Sequence, residues 1–321
     1  MNNQKDVKLK SGNRALMLLC LVLVIFLIAG ALYGIRGSLF PAFGMRPPEI
    51  DVAAFSHREA SQYTTVVKGE DGIHQGDLVL VNKTYPYRGQ DSTPLTYVYD
   101  YKNNMYKVKD MEVSLNRRVV QAFNGMLAGF YDATGIHDVN VVSGYRSSED
   151  QYRIVQEKQS ETLLQNVSSL AAAPGYSEHE TGMALDLSIY TDMGITHDFL
   201  GQGKYHWIRE NAYRYGFVLR YPQEKTQTTG YDYEPWHYRF VGVPHAGIMQ
   251  KENICLEEYI DFLKQYPYEK QHLKVRTQSG QRYEIYYVAA EPGETAVPVP
   301  SNREYTLSGN NADGFIVTVT L

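Results

Sequence analysis

Cysteine is nearly absent from this 321-residue chain, where Cys20 and Cys255 are the only two. A disulfide framework is therefore excluded, and so is a Cys-based structural metal site. Cys20 lies inside an apolar run, which keeps it from meeting Cys255. A basic excess is also missing. The formal net charge is -5, so nothing in the charge balance favours a nucleic-acid partner. Internal repeats and low-complexity runs are absent too. With 43% hydrophobic and 21% charged residues, the chain is too apolar to be disordered. No His-Glu-x-x-His helix occurs, so that zinc signature is missing as well.

What the chain does have, first, is a run without charge from Ala15 to Ile35. Its length matches the roughly 20 residues that a helix needs to cross a bilayer. Lys5, Lys8, Lys10 and Arg14 precede it, and Arg36 alone follows closely. The positive-inside rule then puts residues 1–14 in the cytoplasm and the chain beyond about residue 36 outside. A cleaved signal peptide is the alternative, but its apolar core is only about 7–15 residues long. Ala29-Gly30-Ala31 is a weak cleavage site, and Met17-Leu18-Leu19 before Cys20 is no lipobox. The expectation is an uncleaved single-pass anchor in a cell membrane, with an extracytoplasmic body.

Residues 36–71, with Pro41, Pro47 and Pro48, read as a stalk. Order is expected from Gly76-Asp77, with a short strand at Leu78–Val81. Ser114 is placed to cap a helix carrying Val119, Phe123, Met126, Leu127 and Phe130 at helical spacing, closed by Gly135. Val139 to Val142 is β-branched and predicts a strand. A second helix starts past Arg146, with Ser148 and Gln151 as a capping box. A third is expected over 161–173 and a fourth over 204–215, stopped by Gly216 and followed by a strand over 217–221. Such mixing without βαβ alternation argues for an α+β domain, a small antiparallel sheet flanked by helices, over 72–268. From 269 to 321 the texture becomes all-β, with strands expected over 273–277, 283–288, 305–307 and 315–321, a small appendix packed on the main domain.

Two segments concentrate ionisable residues on strand-like patterns. From Gly182 onward, Met183, Leu185, Leu187 and Ile189 form one apolar face, while Gly182, Ala184, Asp186 and Ser188 form a small, polar one. His179 stands just before, ahead of a turn that Gly182 permits. In the second segment Trp236, Tyr238 and Phe240 alternate with His237 and Arg239, and Glu234 lies three residues before His237. Two His and one Asp match the count of protein ligands at a catalytic zinc. A carboxylate beside such a ligand is well placed to take a proton from water. Taken alone, these residues leave a bland reading open. His179 can be a structural hydrogen-bonder, and Glu234 can pair with Arg239 on a surface.

The combination is more specific. Ser177-x-His179-x-x-Gly182-x-Ala184-x-Asp186 followed by Glu234-x-Trp236-His237 resembles the two signatures of the zinc D,D-carboxypeptidase and dipeptidase family, which includes the VanY-type D-alanyl-D-alanine carboxypeptidases. Ser143-Gly144-Tyr145-Arg146-Ser147 with Gln151 beyond it, the run Gly76–Asn82 and the run Asn211–Phe217 resemble further landmarks, in the expected order over roughly residues 72–265. The resemblance implies one zinc per chain held by His179, Asp186 and His237. It implies Glu234 as general base, Arg146 as the group that binds the substrate and steadies the oxyanion, and Ser177 and Gln151 near the substrate.

The function so implied is removal of the terminal D-alanine from peptidoglycan stem peptides. An L,D-carboxypeptidase acting on the tetrapeptide would use the same zinc and glutamate. A non-catalytic cell-wall-binding module is the rival from another class. It would be marked by a lost ligand or a lost Glu234, and neither is lost.

Overall fold

Alternation of small polar and large apolar residues over 184–190 builds a two-faced strand, and the chain is organised around it. The structure is a computed structural model that describes residues 48–54, 62–89, 94–161, 172–191, 193–194 and 196–321. The anchor expected at 15–35 lies outside the described residues, and the helix expected over 161–173 lies largely outside them. Among the described residues no helix is long and apolar enough to cross a membrane.

In chain order the strands are β1 (Glu49–Ala54), β2 (Tyr63–Gly69), β3 (Leu95–Tyr97), β4 (Lys107–Val108), β5 (Ser114–Asn116), β6 (Val139–Ser143), β7 (Ala184–Tyr190) and β8 (Thr196–Asp198). They continue with β9 (Phe217–Leu219), β10 (His237–Phe240), β11 (Gln271–Arg276), β12 (Arg282–Ala289), β13 (Glu294–Pro300), β14 (Tyr305–Gly309) and β15 (Gly314–Thr320). The α-helices of more than four residues among the described residues are α1 (Arg117–Thr134), α2 (Ser148–Glu161), α3 (His206–Asn211), α4 (Val243–Glu252) and α5 (Leu256–Leu263). Mixed α and β without regular alternation is the expected class.

The first sheet runs β4-β6-β7-β10-β9, with β8 also on β7, and only β4 and β6 pair in parallel. Helix α1 covers its apolar face. Val119, Val120, Phe123, Met126, Leu127 and Phe130 pack there against Val141, Leu185, Leu187 and Tyr238. Full burial of each such side chain is worth about 1.5–3 kcal/mol, which anchors β7 and leaves its other face free for polar groups. Gly135 ends α1 with φ +71°, as expected. The cap differs. Ser114 belongs to β5, and Asn116 accepts the amide of Arg118 at 3.2 Å instead. On α2 the reciprocal cap likewise shifts by one residue, to Ser147 and Asp150, at 3.1 and 3.3 Å. Helix α3 is a short centre flanked by 3-10 turns over 203–205 and 212–215.

The second sheet runs β1-β11-β12-β15-β14, and β13 pairs with β2 beside it. Expectation fails here in two places. The supposed stalk over 36–71 contains β1, which pairs with β11 over its whole length, and β2, which pairs with β13. In Glu49–Ala54, Ile50 and Val52 alternate with Glu49 and Asp51 as a strand allows, whereas Tyr63–Gly69 has no alternation and takes strand form through its pairing with β13. The segment Leu78–Val81 is fully buried but is no strand. Its backbone pairs instead with Asn310 and with the side chains of Ser308, Asn311 and Arg239. The C-terminal sheet packs on the main domain, as expected. Leu273, Val275, Ile285 and Ile316 share a core with Leu78, Leu80 and residues of α4 and α5. Its opposite face buries Phe315, Val317 and Val319 against Val297 and Val299.

Candidate metal centre

Antiparallel pairing of β7 with β10 places His237 directly opposite Asp186. Cross-strand neighbours stand about 4.5–5.5 Å apart at Cβ, so sheet register alone brings two of the three expected ligands together. The third comes from a 3-10 turn, Glu178–Thr181, that ends at Gly182 with φ +69°. A non-glycine there would be strained, and its Cβ would stand 2.8 Å from Leu95. The turn carries His179 back over the strand. His179 Nε2 lies 3.2 Å from Asp186 Oδ2, and His237 Nδ1 lies 3.1 Å from Asp186 Oδ1. The three donor atoms lie within 4.8 Å of one another.

These residues fit a zinc ion. His179 Nδ1 donates to the carbonyl of Gly144 at 2.6 Å, which leaves Nε2 for a metal. Gly144 is pressed so close to Ser114 that a Cβ would stand 2.3 Å from its carbonyl oxygen. Asp186 Oδ1 is buried with no hydrogen-bond partner among the described residues. A bare buried acceptor costs about 1–3 kcal/mol, more when charged, and a cation bound there offsets that cost. Burial, then the nearby Arg146, lowers the pKa of His179 to about 4. Burial pushes His237 the same way, but the adjacent Asp186 and Glu178 carboxylates carry it up to about 9.

Arg146 follows β6, whose pairing with β7 shifts register between Val141 and Ser143. Such an irregularity re-aims side chains. Its Nη2 donates to Asp186 Oδ2 at 2.8 Å and lies 3.0 Å from His179 Nε2. Ser143 Oγ accepts from Nε at 3.0 Å and Gln151 Oε1 from Nη1 at 3.2 Å. Gln151 in turn donates to Ala172 O at 2.8 Å. It thus holds Arg146 as well as lining the cleft. Ser177 is buried at the start of the 3-10 turn, where the Glu180 carboxylate accepts its amide at 3.4 Å. It too lines the cleft.

Glu234 sits on the cleft wall, with Oε2 3.6 Å from His237 Nδ1. The amide of His237 donates to Glu234 O at 3.2 Å, a turn that puts both side chains on one side. Burial raises the pKa of Glu234, against the pull of His237. The surface pair with Arg239 does not exist. Arg239 is wholly buried and donates to Glu178 Oε1 at 2.9 Å. The cleft beside the three ligands measures about 390 Å³, with Ile154, Lys158, Tyr231 and Trp236 on its walls. All seven expected site residues border it.

One participant escaped the sequence reading. Glu178 is fully buried against His237, Arg220 and Arg239. Only its place beside His179 hinted at a role, because its partners lie 42 and 61 residues away.

Residues 112–243 match the family model for VanY, D-alanyl-D-alanine carboxypeptidase. A D-alanyl-D-alanine carboxypeptidase of Enterococcus faecium is 39% identical over 266 residues, 81% of this chain and 80% of that protein. The bifunctional D-Ala-D-Ala dipeptidase and D-Ala-D-Ala carboxypeptidase VanXYC of Enterococcus gallinarum is 32% identical over 192 residues, 59% of this chain and 95% of that one. Among solved structures, the vancomycin resistance D,D-dipeptidase VanXYg, in complex with a D-Ala-D-Ala phosphinate analogue, matches with a TM-score of 0.72. It is 33% identical, over 81% of this chain and 99% of that one. A relative 39% identical and covered over 80% of its length extends the similarity far beyond the ligand motifs, so this protein belongs to the VanY family of D-alanyl-D-alanine carboxypeptidases.

Proposed function

We propose that the chain is a zinc-dependent D,D-carboxypeptidase, binding one zinc, that removes the terminal D-alanine from peptidoglycan stem peptides. The observation that carries this is the convergence of three donors beside a cleft that also holds Glu234: the register of β7 against β10 sets Asp186 opposite His237, and the 3-10 turn before β7 brings His179 to them. Relatives named for D-Ala-D-Ala carboxypeptidase activity support the substrate class.

His179, Asp186 and His237 would hold the metal. Zinc supplies Lewis-acid polarisation of the scissile carbonyl and lowers the pKa of water. Glu234 accepts the proton of the attacking water and delivers it to the leaving amine of D-alanine. Arg146 is clamped by Ser143 and Gln151, so its guanidinium N–H groups are fixed before substrate arrives. Directed at the scissile carbonyl, they stabilise the charge that develops on its oxygen. Ser177 and Gln151 shape the wall where the peptide terminus lies.

The body is further proposed to be tethered outside a bacterial cell membrane by residues 15–35, supported by their lack of charge and by the basic residues before them. Protease added to intact spheroplasts is expected to digest the body and spare a short N-terminal tag; protection of the body would reverse the orientation. The catalytic reading is tested by mass spectrometry of pentapeptide and tetrapeptide precursors after incubation with the full chain. Loss of one D-alanine from the pentapeptide is expected. Cleavage of the tetrapeptide alone would overturn the substrate assignment, and no cleavage of either would overturn the activity.

A further inference from the structure

The Glu178 carboxylate has no exposed surface, and it is gripped from several elements. Its Oε1 accepts from Arg220 Nε at 2.8 Å and from Arg239 Nη1 at 2.9 Å. Arg220 is also clasped by both oxygens of Glu257, at 2.9 and 2.7 Å. Arg239 is fixed by the carbonyls of Asp77 and Val79, at 2.9 and 3.1 Å. Neither guanidinium can swing out, so the carboxylate cannot either. Its other oxygen, Oε2, points at the metal centre and lies 3.5 Å from His237 Nε2. Both atoms are buried, and neither has a hydrogen-bond partner among the described residues. Buried polar atoms are nearly always paired, and these two face each other just beyond hydrogen-bonding distance.

Taking the zinc reading as its basis, we infer that Glu178 is a positioning residue for His237: its immobilised carboxylate accepts the Nε2 proton and so presents Nδ1, without a proton, to the metal. The two histidines are then held by opposite ring atoms. His179 is fixed through Nδ1 by Gly144 O and ligates through Nε2, while His237 is fixed through Nε2 and ligates through Nδ1. A ligating imidazole whose remote nitrogen meets a carboxylate is oriented and made more basic. The competing role for Glu178 is plain charge balance for two buried arginines. Glu257 separates the two, because it belongs to the same cluster and does not touch His237.

The exchange Glu178→Gln gives the amide no good orientation. Its NH2 must face either the Nε2–H of His237 or the arginine donors, and each is a donor against a donor. Zinc affinity of the full chain, measured by chelator competition beside the melting temperature, is expected to fall about 10–100-fold in Glu178→Gln. Glu257→Gln is expected to lower the melting temperature while its zinc affinity stays within about threefold of the wild type. Equal losses of affinity in the two variants, or none in Glu178→Gln, would overturn the inference. If Glu178→Gln does not fold, NMR of the zinc-loaded wild type with ring-15N histidine decides. One zinc-bound histidine should ligate through Nε2 and the other through Nδ1 with a protonated Nε2. Two Nε2-ligated histidines would overturn the proposal. A wild-type chain that binds no zinc removes the zinc reading together with its consequence. Unchanged zinc binding in Glu178→Gln removes the consequence alone.

Discussion

Among the described residues, two places bury histidine against carboxylate, and they are finished differently. On the C-terminal sheet, His272 Nδ1 bonds Glu284 Oε1 and His272 Nε2 donates to Tyr268 O at 2.8 Å. Lys274 lies 2.8 Å from Glu284 Oε2. Every nitrogen and oxygen of that pair has a partner. On the β7–β10 sheet, Asp186 Oδ1, Glu178 Oε2 and His237 Nε2 are buried without one. The lesson is that a buried His–carboxylate contact does not by itself mark a site. Convergence of donor atoms with valences left over does, because folding alone has no reason to leave them open.

If that contrast is right, substitutions in the first cluster remove chemistry and those in the second remove stability. The largest effect is expected for His237→Ala. Two protein ligands rarely hold catalytic zinc well, so both bound metal and turnover should disappear, as metal analysis beside a peptide assay will show. A variant that keeps one zinc would take His237 out of the ligand set. Next comes Glu234→Gln, which keeps size and reach but cannot accept a proton. Turnover of a D-Ala-D-Ala-ended peptide should fall about 10²–10⁴-fold while zinc content stays near one. Near wild-type turnover would leave the attacking water without its base. Arg146→Lys keeps the charge and loses the planar fork held by Ser143 and Gln151. A fall in kcat of about 10–10³-fold is expected, with zinc retained; an unchanged kcat would restrict Arg146 to a structural role.

How much of this was legible in the chain depends on distance along it. Asp186 and His237 could be read because each lies on a strand whose neighbours alternate, so residue period alone assigns their face. Gly135 and Gly182 were legible because a turn or helix end needs a left-handed residue there. Capping residues were misplaced by one or two positions, since several Ser and Asn side chains compete at each start and only packing chooses among them. The strands β1 and β2 escaped because their pairing partners, β11 and β13, lie more than 200 residues away. Glu178 escaped for the same reason. Nothing local announces that Arg220 and Arg239 will be buried beside it.

The smallest effect tests the other half of the contrast. Burial works against the Glu284 carboxylate, but hydrogen bonds from His272 and Lys274 hold its pKa down at about 2. A folded-state pKa below the ordinary value of about 4.3 means that stability is present above that value and lost as pH falls through the lower one. Lys274 and Glu284 are also direct cross-strand partners, so the bond is set by sheet register and not by a mobile side chain. Glu284→Gln removes the charge from these bonds, and charge-assisted hydrogen bonds contribute about 1.5–3 kcal/mol. The melting temperature at neutral pH should therefore drop by several degrees, while zinc content and kcat/KM stay at wild-type levels. The gap between variant and wild type should then narrow as pH falls from about 4 towards 2, because acid removes the same charge from the wild type. A gap that does not depend on pH would show that lost packing is responsible. Loss of zinc or of turnover would show that the two sheets are coupled, and that the fully paired cluster is not a passive one.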